Sequence, residues 1–273
     1  MKITIRAAVL GFAFTLSGAL SGCGADGLPP TASVSKDGAA GGAFDIANTD
    51  NKGENIDRLP AAPFGDAAAT PPGGREIIAK PTIADIMAPS PLPEMSFGSA
   101  TAPVTIVQYA SMTCPHCRRF HAETFPEFKR TYIDTGKVRY ILREFPIGKA
   151  SGMATIALRC APADKYLTLY GKFMEQQPNW VAQDVKRDAI FAVAQQVGMT
   201  RPEFDACAEN HSMIENLKWV KERGRKLGII GTPNFFVGES LVKSVLTMAE
   251  IRALVEPQIS GSAAAATASP APR

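Results

Sequence analysis

Two cysteines, Cys114 and Cys117, stand two residues apart in the run SMTCPHCRRFH (111–121), with two of the chain's three histidines, His116 and His121, beside them. Four chemistries use such a cluster. Haem attachment needs C-x-x-C-H, and Arg118 occupies the histidine's place. A zinc or copper site could recruit Cys114, Cys117 and His121, but a structural site wants a fourth ligand, and the sequence offers no second CxxC or histidine pair. Spacing this tight disfavours a purely structural disulfide. Dithiol/disulfide exchange is the reading that a CxxC beside a strand–helix pattern favours.

The flanking elements say how the thiols would be held. Val104, Thr105, Ile106, Val107 and Tyr109 form a nearly continuous β-branched and aromatic run, the pattern of a buried central strand. A helical face follows the cysteines, with Phe120, Phe125, Phe128 and Tyr132 at helical spacing; Pro126 should kink it and Gly136 end it. Cys114 then sits at a helix N-terminus, with Pro115 in the first turn where a missing N–H costs nothing. Unpaired N–H groups and the helix dipole stabilise a thiolate there and lower its pKa. His116 can donate to that sulfur, and Cys117, one turn inward, can attack a mixed disulfide made by Cys114. Stabilising the thiolate stabilises the reduced form and makes the disulfide a stronger oxidant.

Downstream, KVRYILREF reads as a second strand. Residues 150–160, 163–176, 183–197, 201–209 and 213–227 read as helices. GTPNFFVGESLVKSV reads as two short strands turning at Gly238, and a last helix covers about 248–257. Capping boxes are expected at Thr200/Glu203, Ser212/Glu215 and Thr247/Glu250. Strand, CxxC, helix, strand, helical block, hairpin, helix is an α/β order with the cysteines at a strand-to-helix turn. The basic run 218–228 reads as a solvated helix face, and the net charge of +3, with signs mixed, gives no reason to invoke nucleic acid.

The N-terminus bears on the redox compartment. Lys2 and Arg6 precede the uncharged, mostly apolar stretch 7–20, too short to span a bilayer comfortably and shaped like a secretory signal. Leu20-Ser21-Gly22-Cys23 resembles the lipobox of bacterial lipoproteins, which makes 1–22 a signal peptide and Cys23 a lipid anchor. Gly24 follows it, leaving inner and outer membrane both open. Setting Cys23 aside leaves four cysteines, Cys114, Cys117, Cys160 and Cys207, which suits an oxidising compartment where pairs persist. Residues 23–95, rich in Ala, Gly and Pro, read as a disordered tether, though EIIAKPTIADIMAPSPLP has apolar residues that could lie against the domain. Residues 259–273 read as a disordered tail.

Cys114-Pro115-His116-Cys117 after a strand, a helical insertion, and Gly231-Thr232-Pro233 before NFFV together resemble the DsbA family of bacterial thiol:disulfide oxidoreductases, over about 96–258. The resemblance implies a thioredoxin-like fold from 96–147 and 228–258, with an all-helical domain inserted at 148–227. It implies that Thr232-Pro233 is a cis bond facing the cysteines, its backbone free to pair with an extended substrate; alone, Thr-Pro would read as a plain turn. Cys160 and Cys207 could be ordinary buried thiols, but in an oxidising compartment a bridge between them is expected, similar to the second, non-catalytic disulfide of some relatives. Two positions depart from the family. Gln108 stands six residues before Cys114, where thioredoxin-like proteins often bury an acid, so His121 or water is a candidate for managing the Cys117 proton. Ser244 stands where glycine is common.

The expectation is a monomeric enzyme that introduces disulfides into unfolded or reduced exported proteins. It would need no cofactor, face the periplasm on a lipid anchor, and be reoxidised by a membrane-bound thiol oxidase. An isomerase, a reductase of a dedicated client, and a thiol-based metal-handling lipoprotein are the alternatives.

Overall fold

The computed structural model describes residues 76–268; Cys23, the signal-like run 1–22 and the tether up to residue 75 lie outside the described residues. The described chain opens with a short helix α1 (Ile83–Ile86) and an edge strand β1 (Met95–Phe97). The central strand β2 (Val104–Ala110) follows and is buried along almost its whole length, as its run of β-branched and aromatic residues predicts.

The cysteine turn leads into α2 (Pro115–Arg119). The same helical run continues as a π turn (Phe120–Thr124), α3 (Phe125–Phe128) and a second π turn (Lys129–Ile133). Pro126, with no N–H to donate, sits just after the first π turn, which is the break its chemistry demands. Gly136 (φ +73°) ends the run, and the strand β3 (Val138–Glu144) returns parallel to β2.

The helical block comprises α4 (Gly148–Cys160), α5 (Tyr166–Glu175), α6 (Gln177–Trp180), α7 (Arg187–Ala194), α8 (Arg201–Ala208) and α9 (His211–Lys226). The antiparallel hairpin β4 (Asn234–Val237) and β5 (Ser240–Val242) turns at Gly238 (φ +58°), and α10 (Met248–Ala268) closes the described chain. The sheet order is β1-β3-β2-β4-β5, a mixed sheet with the strand that leads into the cysteine turn at its centre.

One large core fills the face where Cys117, Phe120, Phe125, Phe128, Tyr132, Tyr140 and Phe235 meet the helical block and α10. On the other face Val107, Tyr109, Ile141, Phe145 and Phe236 are covered by Ile86, Leu227 and Ile229.

Four expectations need correction. Residues 76–95 are not all tether. Arg143, itself buried, donates to both carboxylate oxygens of Glu94 (3.0 and 2.8 Å) and to Ile86 O (2.6 Å), so the folded part starts well before 96. The boundary at 227/228 would put α9 wholly in the insertion. Its first half does pack there through Met213, Ile214 and Leu217 beside Ile156 and Cys207, but Gly224 lies so close to the Tyr109 ring that a Cβ would fall 2.8 Å from it. The helix therefore bridges both parts. Its cap is Asn210, whose Oδ1 accepts from Met213 N–H at 3.0 Å; Ser212 lies inside the helix. Finally, α10 runs past residue 258 into the stretch read as a tail. The boxes at Thr200/Glu203 and Thr247/Glu250 form as expected.

Candidate active site

The central strand β2 delivers the chain to its own C-terminal end, and the loop 111–114 is fastened there by polar contacts. Ser111 Oγ pairs with Ser151 Oγ of α4 at 2.8 Å, and Ser151 Oγ accepts from Met112 N–H at 3.1 Å. From the helical block, Gln177 Nε2 donates to Met112 O (2.8 Å) and to Cys114 O (3.1 Å). These contacts fix the geometry at which the helix begins. None of Ser111, Ser151 and Gln177 stands out in sequence, because each acts only through a partner remote in the chain.

Cys114 is the N-cap of α2 and Pro115 its first residue, as the residue types require. The Cys114 sulfur accepts from Cys117 N–H at 3.4 Å, and its S–H donates to Thr232 O at 3.0 Å. Cys114 and Cys117 are unbonded thiols, Cys114 partly exposed and Cys117 fully buried. Their electrostatics diverge. A hydrogen bond from the Cys117 side chain does most to hold the Cys114 pKa down, to about 5. Burial opposes it, and Thr232 with the backbone N–H groups of Cys117 and His116 adds to the lowering. Cys117 moves the other way, first because it is buried and then because Cys114 competes for the charge. One sulfur is thus a partly exposed, stabilised thiolate and the other a buried thiol that resists ionisation.

The Thr232-Pro233 peptide is cis, and its carbonyl faces Cys114. A groove of about 380 Å³ runs beside it, lined by His116, Arg119, Ile230, Thr232, Pro233 and Val245. Ile230, in the groove's lining, is 79% exposed, and Ile147, whose carbonyl accepts from Thr113 Oγ1 in the cysteine loop, is 46% exposed. The His116 ring stands exposed on the groove's lip; its contribution to Cys114 comes through the backbone and not through the ring donation expected from sequence. Ser244 also lines the groove.

His121 lies on the other side of the helical run. Its ring stacks on Phe125 (5.1 Å) and meets Tyr170 edge-on (5.3 Å). Burial lowers its pKa to about 4, so it is a neutral and weak base. Among the described residues, no cluster of three His, Cys, Asp or Glu side chains could hold a metal ion, so Cys114, Cys117 and His121 do not converge as ligands. Gln108 is fully buried and its Oε1 accepts from Tyr140 Oη. Cys160 and Cys207 are joined by a disulfide between α4 and α8, 47 residues apart in sequence.

The sequence profile of the thioredoxin family matches residues 91–257. A Rickettsia bellii protein that carries the name protein-disulfide oxidoreductase is 30% identical over 178 residues, 63% of this chain and 68% of that one. Disulfide bond formation protein D of Bacillus subtilis is 24% identical over 169 residues, 60% of this chain and 76% of its own. Among solved structures, alpha-DsbA1 of Wolbachia pipientis superposes with a TM-score of 0.62 at 23% identity, covering 68% of this chain and all of that one. BdbD of B. subtilis gives 0.58 at 22%, covering 69% and 100%. Family match, relatives and fold agree with the chemistry of the cysteine turn: the chain belongs to the thioredoxin family, among the protein-disulfide oxidoreductases, and shares its fold with solved DsbA proteins.

Proposed function

We propose that the protein is a dithiol oxidase, which passes the Cys114–Cys117 disulfide to reduced exported proteins. The observation that carries this reading is the asymmetry of the pair: an accessible Cys114 whose pKa is about 5 beside a buried Cys117 that resists ionisation. A client thiolate forms a bond to Cys114 Sγ, the Cys114–Cys117 bond breaks, and its electron pair goes to Cys117. A second client thiolate then attacks the client sulfur of the mixed disulfide, and Cys114 leaves as a thiolate. The client is oxidised by two electrons and the enzyme reduced by two. Because Cys114 is the stabilised thiolate, it is a good leaving group, which favours release of an oxidised client. The Thr232 carbonyl and the groove beside Pro233 supply the docking edge for an extended client segment, with Pro115 and His116 setting the turn's geometry and lip. Cys160–Cys207 is a structural bridge.

The rest of the reading follows from composition. The signal-like N-terminus and Cys23 support a periplasm-facing protein on a lipid anchor, recycled by a membrane-bound thiol oxidase. No helix among the described residues is long and apolar enough to cross a membrane. The test is equilibration of the Cys114–Cys117 pair with glutathione, together with titration of Cys114. A potential well above about −270 mV, the value of thioredoxin, supports a disulfide donor; one near it turns the assignment to a reductase.

A further inference from the structure

The groove beside the cis peptide carries charge of one sign. Arg119 enters it from the end of α2 and Lys243 from the segment after β5, and both side chains are exposed. Among the described residues no Asp or Glu lines it, and neither cation has a hydrogen bond or an ion pair. Several exposed cations elsewhere are matched within the molecule: Lys129 with Asp134 at 2.6 Å, Arg201 with Asp188 and Asp205 at 2.7 and 2.8 Å, and Arg252 with Glu127 at 2.6 Å. At the groove the complementary charge is left to come from outside.

The position of these cations says what would bring it. Thr232 and Pro233 line the same groove, and the Thr232 carbonyl faces the Cys114 sulfur. A client segment added along that edge lies extended. Its alternate side chains then fall on one face about 7 Å apart, so a residue two places from the reacting cysteine still lies over the groove. We propose that Arg119 and Lys243 select clients, the groove preferring a reduced segment that carries Asp or Glu within about three residues of the cysteine that attacks Cys114. This deepens the reading of Cys114 and Cys117 as the pair that oxidises protein clients, and rests on it. The exchange itself is unchanged: the client sulfur bonds Cys114 Sγ and the bonding pair moves to Cys117 Sγ. Any client thiolate is an anion and is eased in by the two cations whatever its sequence; selection is the part that depends on the flanking residues.

The test uses two dithiol peptides of one sequence, with Glu or Lys two places from the attacking cysteine. Stopped-flow rates at which each reduces the oxidised full chain, corrected for the thiolate fraction of each peptide, give a Glu/Lys ratio. At low salt that ratio should be about fivefold, the worth of an exposed ion pair gained and a repulsion avoided. It should fall toward one at about 1 M salt, where charges are screened beyond about 3 Å. In the double variant Arg119→Glu/Lys243→Glu it should drop below one. Because the ratio compares two clients on one protein, any change the new charges make in the reactivity of Cys114 cancels. A ratio of one in the unaltered protein, or one that the double variant leaves as it was, overturns the proposal. If the double variant does not fold, Arg119→Gln and Lys243→Gln taken singly should each cut the ratio about twofold; no change in either overturns it equally. Failure of the parent reading looks different: neither peptide is then oxidised at any salt. Serine versions of the two peptides, titrated onto the protein by NMR, must still rank Glu over Lys, and equal affinities there overturn the proposal on its own account.

Discussion

The molecule holds two pairs of cysteines, and they differ in everything except the element. Cys114 and Cys117 share one helical turn, with an N–H and a carbonyl aimed at the outer sulfur and a groove alongside. Cys160 and Cys207 join two helices of the insertion across 47 residues, and the Cys207 side packs against Ile156 and Met213. At the first pair the surroundings discriminate between the two sulfurs; at the second they treat the pair as a cross-link. Reactivity is therefore set by the dipoles and burial around each sulfur, and not by the presence of a pair.

The sharpest way to break this contrast is to exchange the effects. Cys114→Ser should abolish disulfide transfer to a reduced peptide while thermal unfolding stays close to that of the unaltered protein. Cys160→Ala should do the reverse, with transfer retained and stability lowered by about 4 kcal/mol in the chain-entropy account of a loop this long. Equilibrium denaturation under oxidising conditions reads the second; an unchanged midpoint would show that the bridge is not a cross-link in solution.

Smaller effects follow from protons. Reducing a disulfide to two thiols takes up two protons, but with Cys114 ionised above about pH 5 and Cys117 still protonated, only one is taken up. The potential of the pair should then fall by about 30 mV per pH unit between pH 5 and 9, half the two-proton slope. Stability carries the same signature. The unfolded chain keeps its Cys114 proton up to about pH 9, the folded reduced chain loses it near 5, so in that window the unfolded state binds more protons. The reduced form should gain stability over the oxidised form as pH rises from 5 to 9, and lose that gain as pH falls to 5. Calorimetry of both forms across the window checks the sign.

The smallest effect belongs to His121. Its pKa is lowered from 6.5 to about 4 by burial, so the unfolded chain binds more protons between those values and stability falls as pH drops through them. His121→Leu should flatten the acid limb of the stability profile. If His121→Gln also slows resolution of mixed disulfides, the imidazole serves Cys117 as well as filling space beside Tyr170.

What the sequence carried and what it hid divide along physical lines. The CPHC turn, the strand before it, the aromatic face of Phe120, Phe125, Phe128 and Tyr132, and the Thr-Pro before NFFV all rest on local chemistry, and local chemistry is written in neighbouring residues. The edge strand β1 was illegible because three residues after a proline-rich run become a strand only when β3 pairs with them. Asn210 took the cap from Ser212 because the chain turns one residue pair earlier than the box pattern indicates. Gln177 was invisible for a different reason: nothing in YGKFMEQQPNW shows that it will lie against a turn some sixty residues upstream.

The packing of residues 76–95 has a mechanical consequence. Glu76 and Ile78 attach to Lys226, Ile83 N–H attaches to Glu239, Arg223 holds Asp85 O, and Arg143 grips Ile86 O and Glu94. A pull on the chain ahead of residue 76 would load these contacts one after another, on the sheet face opposite Cys117. The segment acts as a strain relief: tension is spent in peeling a strap before any of it reaches the turn where the sulfurs exchange.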